Sequence, residues 1–161
     1  MSVENLYKKA LAKHQSGNFT GAIKQYLEIL RVKPEHLDAN YLVGTLYAET
    51  GNLPEALKYL EIAERIKPDS PYVLVNLANV LMTMEDYEAA RARFLIAVEL
   101  KPDLAPAYCG LGTICERADR NDEAALAYYQ KAIALSPGAP EPQQLALNLL
   151  LKKGKPDPRE A

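Results

Sequence analysis

The sequence predicts an all-α chain, a solenoid of antiparallel helix hairpins, and three observations predict it. Lys-Pro recurs at Lys33-Pro34, Lys67-Pro68 and Lys101-Pro102, a period of 34 residues, with Ser136-Pro137 one residue late. Inside each period apolar residues return at spacings of three and four, the pattern of an amphipathic helix. Midway through each, a turn-forming glycine or a capping Asn or Asp breaks that pattern, dividing the period into two helices. A lone hairpin cannot bury both of its faces, so units of this kind stack and share a core.

The first unit, residues 3–36, carries Ala10 in its first helix and Ala22 and Tyr26 in its second. Gly17 is suited to the positive φ that ends the first helix, and Asn18 to capping the second. Pro34 then stops the second helix by withholding an amide and pushing its predecessor out of the helical region. The second unit, 37–70, repeats this with Gly44, Gly51, Asn52, Ala56, Leu60 and Pro68. In the third, 71–104, Ala78, Asp86, Ala90 and Phe94 hold the register. Glu85 stands where the earlier units have glycine, so a turn tightened by other means is expected. The fourth, 105–139, has Gly112, Ala125 and Tyr129, with one extra residue between Ala118 and Ala125. There Asn121-Asp122 replaces the aromatic seen as Phe19 and Tyr87, and a looser turn is expected. A closing helix follows at about 141–153; its leucines spread too widely around the wheel for a single buried face. They read as a deep seat plus loose surface leucines, or as a second contact such as a dimer interface or a downstream domain. Residues 1–154 thus form one domain, and the polar, Pro-rich 155–161 a tail or linker.

These residues resemble the tetratricopeptide repeat family. The pattern of Leu-Gly, Tyr, Gly, Ala, an aromatic, Ala and Pro is best kept by residues 37–70, and four copies in phase are specific. The resemblance implies a right-handed superhelix whose first helices line a concave groove, and a role in protein–protein interaction as adaptor or scaffold that binds a peptide or a helix of a partner in that groove. Mapped onto this chain, the family's inward positions hold Glu4, Tyr7, Lys8, Leu11 and His14, then Asp38, Tyr41, Leu42, Thr45 and Glu49. The third unit adds Tyr72, Val75, Asn76, Asn79 and Met82, and the fourth Cys109, Thr113, Glu116 and Arg117. From these, Tyr7, Leu11, Tyr41, Leu42, Thr45, Tyr72, Val75, Asn76, Asn79, Met82 and Thr113 are the expected peptide-binding residues. Ten tyrosines against two phenylalanines and no tryptophan suit such a half-wet surface. Asn76 and Asn79 offer a peptide backbone both donor and acceptor. One branch of the family clamps the C-terminal carboxylate of heat-shock chaperones with a lysine and an asparagine of its first unit and a later lysine and arginine. The matching positions here are Tyr7, Leu11, Tyr72 and Asn76, so that clamp is absent.

Composition narrows the partners. A formal net charge of -2 and no basic block give no footprint for nucleic acid. No apolar run reaches membrane-spanning length and no signal-like start is seen, so a cytoplasmic protein is expected. Cys109 and Cys115 lie six apart on one helix, roughly 9 Å along its axis, too far to pair. His14 and His36 are the only histidines and neither has a ligand-spaced partner. His36 is expected solvated in the turn after Pro34, and His14 exposed or lining the groove. The glycines fall singly at unit positions or, as Gly110 and Gly112, at helix packing; no phosphate loop precedes a helix. No enzyme, cofactor or metal is therefore expected, and the partner is a protein or peptide. A targeting arm of a larger enzyme, and self-assembly through the leucines of residues 145–151, are the alternatives.

Overall fold

The computed structural model describes residues 1–154, within which there are nine helices and no strand. They are α1 (Val3–Gln15), α2 (Phe19–Val32), α3 (Leu37–Glu49), α4 (Leu53–Ile66), α5 (Pro71–Thr83), α6 (Tyr87–Leu100), α7 (Ala105–Arg117), α8 (Asp122–Leu135) and α9 (Pro140–Lys153). Consecutive helices form the hairpins α1/α2, α3/α4, α5/α6 and α7/α8, and each second helix also packs on the first helix of the next unit. Along one side the first helices meet directly, α3 with α5 and α5 with α7. The result is an all-α solenoid. The residues of the Pro-rich tail lie outside those described.

Every second helix starts the same way. The side chains of Asn18, Asn52, Asp86 and Asn121 accept from the amides of Gly21, Glu55, Ala89 and Ala124, satisfying a donor that has no partner inside the helix. Three of the four end on a lysine with φ between -132° and -140°, forced out of helical geometry by the proline that follows.

Two turns differ from expectation. Glu85 is not relieved by another device: it takes φ 63°, the left-handed conformation of Gly17 (79°) and Gly51 (84°). The closing bonds are the same as well. Glu85 N–H donates to Met82 at 3.0 Å and Asp86 N–H to Leu81 at 2.9 Å, as Gly17 and Asn18 do to His14 and Lys13. The closing bonds impose the left-handed conformation, and Glu85 carries its steric cost. The longer α7–α8 connection is likewise not loose. Asn121 N–H reaches Cys115 O at 2.9 Å, Arg120 takes φ 54°, and Asp119 accepts two bonds from Arg91 of α6 at 2.9 and 2.6 Å. A fork-shaped ion pair to the preceding hairpin thus secures the extra residue.

The core follows the small-and-large alternation. Ala10, Ala22, Ala56, Ala78, Ala90 and Ala125 are fully buried, as are Tyr26, Leu60, Phe94 and Tyr129. A methyl group added at Gly112 would sit 2.6 Å from the Tyr129 ring and 3.1 Å from Ala125 O, so glycine is what allows α7 and α8 to approach. At Gly110 it would overlap the Phe94 ring outright. Between units there is a further tie at a fixed spacing of six. Asn40 Nδ2 donates to Pro34 O at 2.9 Å, Tyr108 Oη to Pro102 O at 2.9 Å, and Gln143 Nε2 to Pro137 O. Each first helix so engaged holds the carbonyl of the proline that ended the unit before it.

Helix α9 seats Pro142, Ala146 and Leu149 on the α7/α8 hairpin and leaves Leu147, Leu150 and Leu151 half exposed on its far side. Among the described residues no helix is long and apolar enough to cross a membrane.

Candidate functional site

The side on which α3, α5 and α7 touch carries two adjoining clefts of about 320 and 260 Å³. Thr45, Ala48 and Glu49 of α3, Leu53 at the start of α4, and Asn76, Asn79, Val80 and Thr83 of α5 line the first. Asn79, Met82 and Thr83 continue into the second, where Pro106, Cys109, Gly110 and Thr113 of α7 and Glu141 of α9 close it. Asn79 and Thr83 therefore join the two into one trough.

Its floor is organised by one hydrogen-bond network. Thr45 Oγ1 donates its only hydrogen to Tyr41 O, one helical turn back, at 2.8 Å. That oxygen can then only accept, and Asn76 Nδ2 donates to it at 3.1 Å and to Tyr41 Oη at 3.0 Å. Both amide hydrogens of Asn76 are used, so its Oδ1 is left as an acceptor and the Tyr41 hydroxyl as a donor. Burial raises the Tyr41 phenol above its ordinary value, opposed by the Asn76 bond and helped by nearby Tyr72, so the hydroxyl stays neutral and able to donate.

The expected residues divide into two sets. Thr45, Asn76, Asn79, Met82 and Thr113 line the clefts, and Tyr41 supports them from below. Tyr7, Leu11 and Leu42 lie outside both. Tyr7 and Leu42 pack on the core of the first two units, and Leu11 is half-buried on α1. Tyr72 is 56% exposed at the start of α5, outside the clefts. Val75 is a correction: at 5% exposure it belongs to the core of α4–α7, because packing between consecutive first helices claims its side chain. Thr113 keeps 7% exposure and donates to Cys109 O at 3.1 Å, offering little more than a wall.

Neither histidine is a free surface group. His36 caps α3, its Nδ1 accepting from Ala39 N–H at 3.1 Å, with its ring 5.6 Å from Tyr7. His14 packs edge-on against Phe19 and Tyr26 at 5.9 and 6.4 Å. Burial, with Glu141 nearby, pushes the Cys109 thiol up to about 12, which leaves it a neutral wall of the cleft and not a nucleophile. Among the described residues no cluster of His, Cys, Asp or Glu is placed to hold a metal ion.

Leu53, Val80, Thr83 and Glu141 were not expected. Glu141 was legible, since α9 continues the register of first helices and puts Glu141 in line with Pro106. Leu53 was not, because it enters from a second helix.

The family profile described as tetratricopeptide repeat matches residues 7–71 and 75–140. The chain belongs to the tetratricopeptide repeat family. Among its relatives, the protein O-mannosyl-transferase TMTC3 of Homo sapiens is 27% identical over 133 residues, covering 73% of this chain and 14% of that protein. The chain spans only 7–18% of the length of the curated relatives it matches. Of solved structures, MamA is similar with a TM-score of 0.81 at 22% identity, over 94% of this chain and 82% of that one. YrrB, described as a TPR protein with an unusual peptide-binding site, gives a TM-score of 0.80 at 21% identity, over 89% and 74%. At these identities the structural likeness shows the fold alone, a solenoid of helix hairpins.

Proposed function

We propose that this tetratricopeptide repeat chain is an adaptor that holds a peptide segment of a partner protein in the trough between α3, α5, α7 and α9. The observation that carries this reading is the network at the trough floor. Tyr41 and Thr45 fix the amide of Asn76 from beneath, so its Oδ1 stands preorganised in the cleft as a backbone-reading acceptor. Preorganised groups lose little freedom on binding, which is what converts contact into affinity. Asn79, exposed and shared by both clefts, adds a second amide. The walls, Ala48, Leu53, Val80 and Met82, supply apolar area for short side chains. The peptide-binding site named for YrrB supports the same use here. Similarity to a segment of an O-mannosyl-transferase fits the same trough recruiting substrate when such a unit belongs to a larger enzyme.

The test is affinity capture from the source lysate with the intact chain beside Asn79→Ala and Tyr41→Phe variants, both checked for folding by circular dichroism. Each variant is expected to weaken the captured partner by about 1–2 kcal/mol, the scale of a groove contact that matters. A partner held equally by wild type and both variants would move the interaction off this face.

A further inference from the structure

The charges of the trough are one-sided. Glu49 lines the first cleft and Glu141 the second, and no Lys, Arg or His lines either. Among the described residues neither carboxylate takes part in an ion pair. The neighbouring inward positions do not offset them. Lys8 is held by Glu4 at 3.0 Å, Glu116 accepts from the Tyr129 hydroxyl at 2.8 Å, and Asp38 lies close enough to help raise the Tyr7 phenol. Arg117 is the remaining cation, at the end of α7 and outside both clefts.

Glu49 is also placed where its own helix disfavours it. The last turn of a helix gathers unsatisfied carbonyls and is stabilised by cations. Helices α1, α7 and α9 follow that rule, with Lys13 and His14, Arg117, and Lys152 and Lys153. Helix α3 ends on Glu49 with no basic residue in its last turn. Glu141, in the first turn of α9, is favoured there by the helix amides. Between the two carboxylates the lining is neutral and polar, Asn76, Asn79 and Thr83.

We infer, resting on the peptide-holding reading above, that the trough selects an extended segment with basic side chains on either side of a short neutral stretch. The basic groups answer Glu49 and Glu141, and the neutral backbone lies on Asn76 and Asn79. Such a cation removes the unfavourable end of α3 and completes two half-formed ion pairs.

The probe is a library of random dodecapeptides displayed on phage and panned against the intact chain. Selected peptides are then measured in solution against wild type, Glu49→Gln, Glu141→Gln, Asn79→Ala and Tyr41→Phe. The expected result is enrichment of paired Lys or Arg, affinity falling about 2–5-fold for each carboxylate removed, and further weakening in high salt. Peptides that need Asn79 and Tyr41 but show no basic enrichment, or bind both Gln variants as tightly, overturn the charge inference and leave the groove reading standing. If no peptide is selected, or those selected ignore Asn79→Ala and Tyr41→Phe, the groove reading fails and this inference with it.

Discussion

Tyr26 and Tyr129 hold equivalent places, each filling its hairpin with a fully buried ring, yet their hydroxyls meet different surroundings. Tyr129 donates to Glu116 at 2.8 Å and lies 3.4 Å from Thr113 Oγ1. The Tyr26 hydroxyl is buried with no partner among the described residues. A buried unpaired hydroxyl costs free energy, while a paired one returns some. Tyr26→Phe is therefore expected to stabilise the chain by about 1 kcal/mol, and Tyr129→Phe to destabilise it by about 1 kcal/mol. Urea melts of the two variants check this, and equal signs would refute it. The pH dependence has a definite direction as well. Burial, with Tyr7 nearby, pushes the Tyr26 phenol up to about 12 from an ordinary value near 10, so the fold prefers the protonated form. That preference contributes fully below pH 10 and is lost as the pH climbs toward 12; the alkaline loss should be smaller in Tyr26→Phe.

Turns and ties govern the elements. The α5–α6 turn keeps the hydrogen bonds of its glycine-bearing counterparts while placing Glu85 at φ 63°. Left-handed geometry costs a non-glycine residue roughly 1–2 kcal/mol, partly offset by glycine's greater freedom in the unfolded chain. Glu85→Gly is thus expected to raise stability by up to about 1 kcal/mol, seen as a higher denaturation midpoint at unchanged slope. A midpoint that stays or falls would show that the glutamate is not strained. The spacing-of-six tie was visible in the sequence as Pro34/Asn40, Pro102/Tyr108 and Pro137/Gln143, yet three unlike side chains hide a shared role. The third unit has Leu74 at that position, buried in the core instead. Periodicity reveals positions that repeat a residue type; it does not reveal positions that repeat only a hydrogen bond.

In the whole molecule each unit leans only on its neighbours, so damage should stay local. Leu149, fully buried, anchors α9 on the α7/α8 hairpin. Leu149→Ala is expected to cost about 2–4 kcal/mol of local stability and to speed amide hydrogen exchange in α7–α9. Amides of α1–α4 should keep their protection, and a uniform loss across the chain would mean that the solenoid unfolds as one unit. The same nearest-neighbour logic explains which features were legible. Lys-Pro spacing, the caps Asn18, Asn52 and Asp86, and the alanine and aromatic rows are local or periodic, so the sequence alone determined the helices, their pairing and the stacked core. The trough was decided by tertiary structure. Position on a first helix did not separate Val75, which packing buries, from Asn76, one residue on, which a network with Tyr41 and Thr45 aims into the cleft. Nor did it bring Leu53 and Glu141, from a second helix and from α9, to the same surface. Helical period says which face a residue is on; which of those residues keeps solvent contact depends on how closely the neighbouring units approach, and only the packed solenoid sets that distance.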